Sequence, residues 1–378
     1  MIYLDYNATT PVAREVGEAM MPFILEDFGN PSSAHPLGKR AKEALEKARD
    51  RISSILGCDP DEIIFTSGGT ESNNMVLKGV AWSLRNKGRH IITTKIEHPS
   101  IVNTALFLME GGYDVTFLPV DSYGCLDPDE VKKAVRSDTI LITVMHANNE
   151  TGTIQPLAEI GAIAREHGVL FHTDAAQSVG KIETRVHDLG VDLLTIAGHK
   201  IYAPKGVGAL FIRKGVDIEP FMHGGGQERG LRSGTENVIL NVGLGKACGL
   251  IADNLSDDMS RLRGLRDRLD NQIRSAVPDA VLNGHPEERL PNTVYLSFPG
   301  MRGEEILKVI PDLCASTGSA CHDQSVRLSH VLEAMGVREA VGMGAIRLSL
   351  GRPTTETEVD QAARLLIETV KGKRARGH

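Results

Sequence analysis

The chain lacks paired cysteines and any block of like charge that would define a partner, and its opening residues lack a leader-like pattern. Its five cysteines, Cys58, Cys125, Cys248, Cys314 and Cys321, are odd in number, scattered, and form no C-x-x-C pair. This argues against a disulfide framework and a thiolate zinc centre, and fits a reducing cytoplasm. The opening MIYLDYNATTP has neither the basic nor the apolar segment of a leader, and no run of eighteen apolar residues occurs. The expectation is a chain that is neither exported nor membrane-spanning. Basic residues number 42 against 49 acidic, a net charge of −7, so no electrostatic footprint points to nucleic acid or an anionic membrane. The only strongly basic run, the terminal KGKRARGH, reads as a solvated tail. Internal repeats and low-complexity segments are absent too.

What is present is an ordinary globular composition, 41% hydrophobic and 24% charged over 378 residues, a length that predicts two domains or one large body with an appendage. Short β-rich runs begin near residues 62, 90, 114, 139, 169, 191 and 206, separated by amphipathic stretches such as GTESNNMVLKGVAWSLRNKG and LAEIGAIAREHG. That alternation predicts an α/β fold with one large, mostly parallel seven-stranded sheet covered by helices. After about residue 255 the pattern changes to a charged helix, NTVYLSF, GEEILKVI, GAIRLSL and a final helix, which suggests a smaller α+β domain. The predicted division is 15–255 for the large domain, with 1–14 and 256–378 forming the small one.

Three stretches can carry chemistry. FTSGGTESNN, residues 65 to 74, passes from a strand through two glycines into a helix. Amides at a helix N-terminus with the hydroxyls of Ser67 and Thr70 suit a phosphate, although a plain capped turn reads the same way. The absence of a P-loop lysine disfavours a nucleoside triphosphate. FHTDAAQSVG puts Asp174 at the carboxyl end of an apolar strand, where open α/β sheets bind ligands; a buried carboxylate there needs a cation or hydrogen-bond donors, and capping the next helix is the bland alternative. Lys200 follows 26 residues later in TIAGHKIYAPKGVGALFIR, either as a surface charge or as a desolvated amine able to react with a carbonyl. Together, a phosphate cradle, a carboxylate able to pair with a pyridinium nitrogen and a reactive lysine are the parts that hold pyridoxal 5'-phosphate.

The stretches YLDYNATTP, GNPSSAH, TSGGTESNN, EHPS, HANNETGTIQP, HTDAAQSVGK, GHKIYAPKGVGAL, RSGTEN, STGSAC and IRLSLGRPTT span residues 3 to 355. In these the chain resembles the cysteine desulfurase and selenocysteine lyase group of the class V pyridoxal phosphate-dependent aminotransferase family, with the aspartate aminotransferase-like fold (fold type I). The resemblance implies that Lys200 is the lysine joined to the cofactor aldehyde, that Asp174 pairs with the ring nitrogen, Gln177 with the ring hydroxyl, and that His98 stacks on the ring. It implies phosphate contacts from Thr70, His199 and amides near Gly69, and from Thr235 of a neighbouring subunit, hence a homodimer. Arg347, a planar bidentate donor, and Asn149 are implied to bind the substrate carboxylate and assist beside the cofactor. Where most desulfurases have serine before the Gly-His-Lys, this chain has Ala197.

Cys321, in the small and polar stretch CASTGSACHDQSVRLSH, aligns with the family nucleophile, and Cys314 reads as a buried structural thiol. A thiol with a pKa near about 8.5 needs activation at neutral pH, for which His98 and His322 are candidates. The implied activity converts L-cysteine to L-alanine and passes sulfur through a Cys321 persulfide to an acceptor protein, an iron–sulfur scaffold or a thiolation protein. His322 and Asp323 after Cys321 are similar to the selenocysteine lyase pattern, which keeps that activity as the alternative; transamination leaves Cys321 idle. The gap between Cys314 and Cys321, without further clustered ligands, disfavours a metal.

Overall fold

The computed structural model describes residues 1–317 and 327–375 in full and, between them, the backbone pairing of Ser319–His322 with Ser325–Leu328. The large sheet contains β1 (Ile63–Thr66), β2 (His90–Thr94), β3 (Asp114–Leu118), β4 (Thr139–Thr143), β5 (Leu170–Asp174), β6 (Leu193–Ala197) and β7 (Gly208–Ile212), in the order β1-β7-β6-β5-β4-β2-β3. These are the seven runs the sequence predicts. Only β7 opposes its neighbours, β1 and β6; the other pairs are parallel. Every residue of β1, β2, β4, β6 and β7 is buried, because helices cover both faces, and the runs therefore read as continuously apolar or β-branched. Polar groups within the sheet are paired: His172 of β5 lies 2.8 Å from Thr143 Oγ1 and 3.1 Å from Thr195 Oγ1. Burial pushes its pKa down to about 3, so it is a neutral structural histidine.

The helices that matter for the site are α1 (Pro36–Leu56), α2 (Gly69–Ser83), α3 (Pro99–Glu110) and α4 (Val238–Ala276). Proline at the first position and His98 as cap start α3 just past β2. The composition change near residue 255 falls inside α4, which continues unbroken for 39 residues. Its first half packs Leu244, Ala247 and Ile251 into the core that holds Ala48 and Ile52 of α1, and its second half packs Leu262, Leu265, Leu269 and Ile273 into a separate core. By length and composition α4 is the one helix among the described residues apolar enough to cross a membrane, but that apolar first half is the side laid against α1.

The second core lies under a four-stranded sheet whose centre is β8 (Thr293–Ser297) paired antiparallel with β9 (Ala345–Ser349), flanked by Val281–Leu282 and Ser316–Thr317. The N-terminal Ile2–Tyr3 pairs in parallel with Leu313–Cys314. From there residues 5–10 cross to the large sheet, where Thr10 donates its amide to the His199 carbonyl at 2.9 Å. This crossing brings the chain's first residues over the turn that carries Lys200.

Candidate active site

A cavity of about 310 Å³ opens beyond the carboxyl ends of the parallel strands, where the fold leaves strand-end loops free to present side chains. Gly69 and Thr70 enter from the β1–α2 turn, His98 from the end of β2, Asn149 from beyond β4, Asp174 from the last position of β5, and Ala197, His199 and Lys200 from β6 and the single 3-10 turn after it. Gln177 follows Asp174, and Arg347 of β9 reaches in from the small sheet.

Lys200 Nζ donates to the carbonyls of Asn7 at 2.6 Å and Ala8 at 2.8 Å. Burial, reinforced by the positive charge of Arg347 and partly offset by Asp174 and Asp5, pulls its pKa down to about 8. Asp174 is 7% exposed; its carboxylate accepts from Asn73 Nδ2 at 2.7 Å and from the Ala176 amide at 3.0 Å. Those donors supply the network that a buried carboxylate requires, and they fix its position at the cavity wall. His98 Nδ1 accepts from the Ser100 amide at 3.2 Å, which assigns the proton of the neutral ring to Nε2. Burial lowers the His98 pKa, with Asp174 opposing and Lys200 and His330 adding to the shift. His199 is pulled down to about 4, by burial first and then by Lys200, Lys205 and His98, so it too is neutral.

The cradle is built from backbone. Gly68 has φ +147°, a conformation open to glycine, and a Cβ on Gly208 of β7 would lie 2.7 Å from the Gly68 Cα. The β1–α2 turn thus sits flush on the sheet with the α2 N-terminus aimed at the cavity, beside the methyl of Ala197. Thr70 is exposed at this turn, whereas Ser67 does not line the cavity and spends its amide on Glu71 Oε2 at 2.9 Å. Thr235 is exposed and lies outside the cavity of its own chain. Cys321 falls in the strand Ser319–His322, and its side chain, like that of His322, lies outside the described residues.

Sequence reasoning missed several contributors. Asn7 is a hub: Lys181 Nζ and Asn292 Nδ2 donate to its side-chain oxygen at 3.0 and 3.1 Å, its own Nδ2 donates to Thr293 Oγ1 at 2.9 Å, and its carbonyl receives Gln177 Nε2 at 2.9 Å. Lys181, fully enclosed, also donates to Gln177 Oε1 at 2.6 Å, which fixes the orientation of the Gln177 amide: one Nε2 proton goes to the Asn7 carbonyl and the second is left to give. Burial drives the Lys181 pKa well down, with Lys200 and Arg347 adding to it. Glu97, beside His98, accepts from the Met145 amide at 2.8 Å and Thr94 Oγ1 at 2.9 Å, and burial raises its pKa to about 8, so it joins the ends of β2 and β4 as a neutral acid. The only sequence signal for these groups was their place inside or beside the quoted motifs.

An amine of lowered pKa, a carboxylate held by donors, a neutral imidazole and a helix N-terminus around one cavity form a donor set that fits pyridoxal phosphate. The family description Aminotransferase class-V matches residues 2–362. The chain belongs to that family. As a class-V aminotransferase family member it depends on pyridoxal 5'-phosphate. It is 49% identical over 372 residues to "Cysteine desulfurase IscS" of Dictyoglomus turgidum, covering 98% of this chain and 94% of the relative. It is equally 49% identical over 372 residues to the protein of the same name from Methanosarcina thermophila, with 98% and 92% covered. Among solved structures, a "NifS-like protein" superposes with a TM-score of 0.92 at 41% identity, covering 98% of this chain and 99% of that one. A structure described as "SspA in complex with cysteine" gives 0.82 at 39% identity, with 93% and 99% covered.

Proposed function

We propose that this protein is a cysteine desulfurase that converts L-cysteine to L-alanine and carries the sulfur as a persulfide on Cys321 to an acceptor protein. The observation that carries the reading is the convergence of Lys200, Asp174 and His98 on one cavity walled by Arg347, in a chain 46–49% identical to desulfurases over nearly its whole length. Bound pyridoxal phosphate supplies an electron sink for negative charge at the substrate α-carbon. Asp174, held in place by Asn73 and the Ala176 amide, would pair with the cofactor's ring nitrogen. Lys200 is neutral often enough near pH 8 to take the α-proton and return it later. His98 would cover one face of the ring, Gln177 would offer Nε2 to its hydroxyl, and the α2 N-terminus with Thr70 and His199 would hold its phosphate. Arg347, with Asn149 beside it, grips the substrate carboxylate. The Cys321 thiolate attacks the substrate sulfur; the sulfur–carbon bond breaks, its electron pair stays with the alanine fragment, and Cys321 keeps the sulfur.

Residues 15–255 then form the cofactor-binding body, and 1–14 with 256–378 the part bearing the nucleophile. The enzyme acts as a homodimer, its site completed by Thr235 of a second copy. Exposed Phe28, Leu25, Phe107 and Leu106 support such an apolar interface. The described cysteines Cys58, Cys125, Cys248 and Cys314 are all free, which supports a cytoplasmic setting. Assays of L-cysteine and L-selenocysteine with intact enzyme and Cys321→Ala test the reading. Sulfide release from cysteine falls about 100-fold or more in the variant; undiminished release overturns the persulfide step, and activity on selenocysteine alone identifies a lyase.

A further inference from the structure

Arg347 does not face the cavity as a free cation. Its Nη2 donates to Asp5 Oδ1 at 2.8 Å and its Nη1 to the Asn149 carbonyl at 2.9 Å, while its Nε is buried without a partner. The side chains of this ion pair are 10% and 19% exposed for Arg347 and Asp5, and Arg347 lines the cavity whereas Asp5 sits behind it. The same Asp5 oxygen accepts from Ser316 Oγ at 2.9 Å, and Ser316 stands opposite Arg347 in the small sheet. The Asp5 backbone is fixed as well, bridged to Ser349 and accepting from the Ala8 amide at 3.0 Å. An anion is therefore held, by backbone and by a hydroxyl, against the guanidinium assigned to the substrate.

We infer that Asp5 is an internal carboxylate that competes with the substrate carboxylate for Arg347 and so sets the affinity of the site for amino acids. The inference rests on the reading of Arg347 as the carboxylate grip. A guanidinium has five donors, and the contacts to Asp5 and Asn149 leave enough for a second anion, so both carboxylates fit on one cation. The second to arrive meets a cation already neutralised and a like charge a few ångströms beyond it, in a wall where water screens poorly. Cysteine and alanine carry the same carboxylate, and an unpaired Arg347 holds product as firmly as substrate. Asp5 loosens both, raising KM and easing the departure of alanine, while keeping Arg347 in position between turnovers.

The test uses the cofactor-loaded enzyme titrated with L-alanine, the absorbance of the bound cofactor reporting occupancy, and with L-alaninol, which has the same amine but a neutral group for the carboxylate. Asp5→Asn retains an oxygen acceptor and removes the charge. It is expected to bind L-alanine about tenfold more tightly, equivalent to about 1.4 kcal/mol, with L-alaninol unchanged; a residue that only braces Arg347 gives weaker alanine binding instead. Unchanged or weaker alanine binding, or an equal change for alaninol, overturns the role of Asp5. Arg347→Lys separates the two readings: if it leaves alanine binding intact, the Arg347 assignment fails, not merely the competition. Should Asp5→Asn not fold, Ser316→Ala withdraws the hydroxyl that shares Oδ1 and leaves the carboxylate wholly on Arg347. Alanine binding then weakens about threefold with alaninol unaffected, and no change overturns the competition.

Discussion

In the proposed reaction Lys200 combines two demands that conflict in water: to be an amine that reacts and to sit in a wall of carbonyls that accept from an ammonium. The carbonyls of Asn7 and Ala8 are met at 2.6 and 2.8 Å, yet burial and Arg347 outweigh Asp174 and Asp5 and bring the pKa to about 8. Because the acid form is the cation, a lowered pKa means the proton is lost at lower pH. At pH 7.5 about a quarter of such amines are neutral, against about one in a thousand for an ordinary lysine. Uptake of pyridoxal phosphate by the cofactor-free protein is therefore expected to quicken through pH about 8 and level off above it; a rate still climbing beyond pH 9.5 contradicts the depressed value. His98 came only from the resemblance of EHPS to the family, whereas Lys200 and Asp174 were legible as candidates because each stands at or just past a strand end. Asp5 and Asn7 were not, since their partners Arg347 and Lys181 lie 342 and 174 residues away, and no local periodicity records such a meeting.

Among the elements, the strands were legible and the longest helix was not. A strand of a helix-covered sheet announces itself as a short apolar or β-branched run between turn signals, and all seven do so, the antiparallel β7 included. The helix α4 changes character midway because it serves two cores, small residues facing α1 and then leucines facing the small sheet, so the composition shift marks a change of neighbour rather than an end. Gly245 shows the cost of that contact. A Cβ there would lie 2.5 Å from both Cα and Cβ of Ala48 in α1. Alanine for glycine in a helix interior gains about 1 kcal/mol in propensity, but overpacking against backbone costs about 1–3 kcal/mol, and the Ala48 Cα cannot swing aside as a flexible side chain does. Gly245→Ala is expected to lower the melting temperature by about 2–6 °C with the cofactor spectrum retained. A higher melting temperature in a thermal scan means that α1 and α4 are free to separate.

At the scale of the whole molecule, the segment carrying Thr235 is firmly held yet presents that residue away from its own cavity. Glu228, itself at φ +45°, receives both Nη1 and Nη2 of Arg49 at 2.9 Å and the Phe65 amide at 2.9 Å. Arg232 donates to Glu71 in the first turn of α2 at 2.8 Å. A buried, bidentate pair of this kind is costly to break, so the segment is braced against β1 and α2 while Thr235 stays exposed. In the proposed homodimer a hydroxyl so placed serves a second copy, and that arrangement predicts complementation. Lys200→Ala protomers cannot join the cofactor, and Thr235→Ala protomers hold its phosphate weakly. In a mixed dimer one site has both defects, and the other joins an intact Lys200 to an intact Thr235 from the opposite chain. Random exchange makes half the dimers mixed, so coexpression at limiting cofactor is expected to restore about a quarter of the wild-type sites. Activity no greater than the average of the separate variants shows that Thr235 acts within its own chain or not at all.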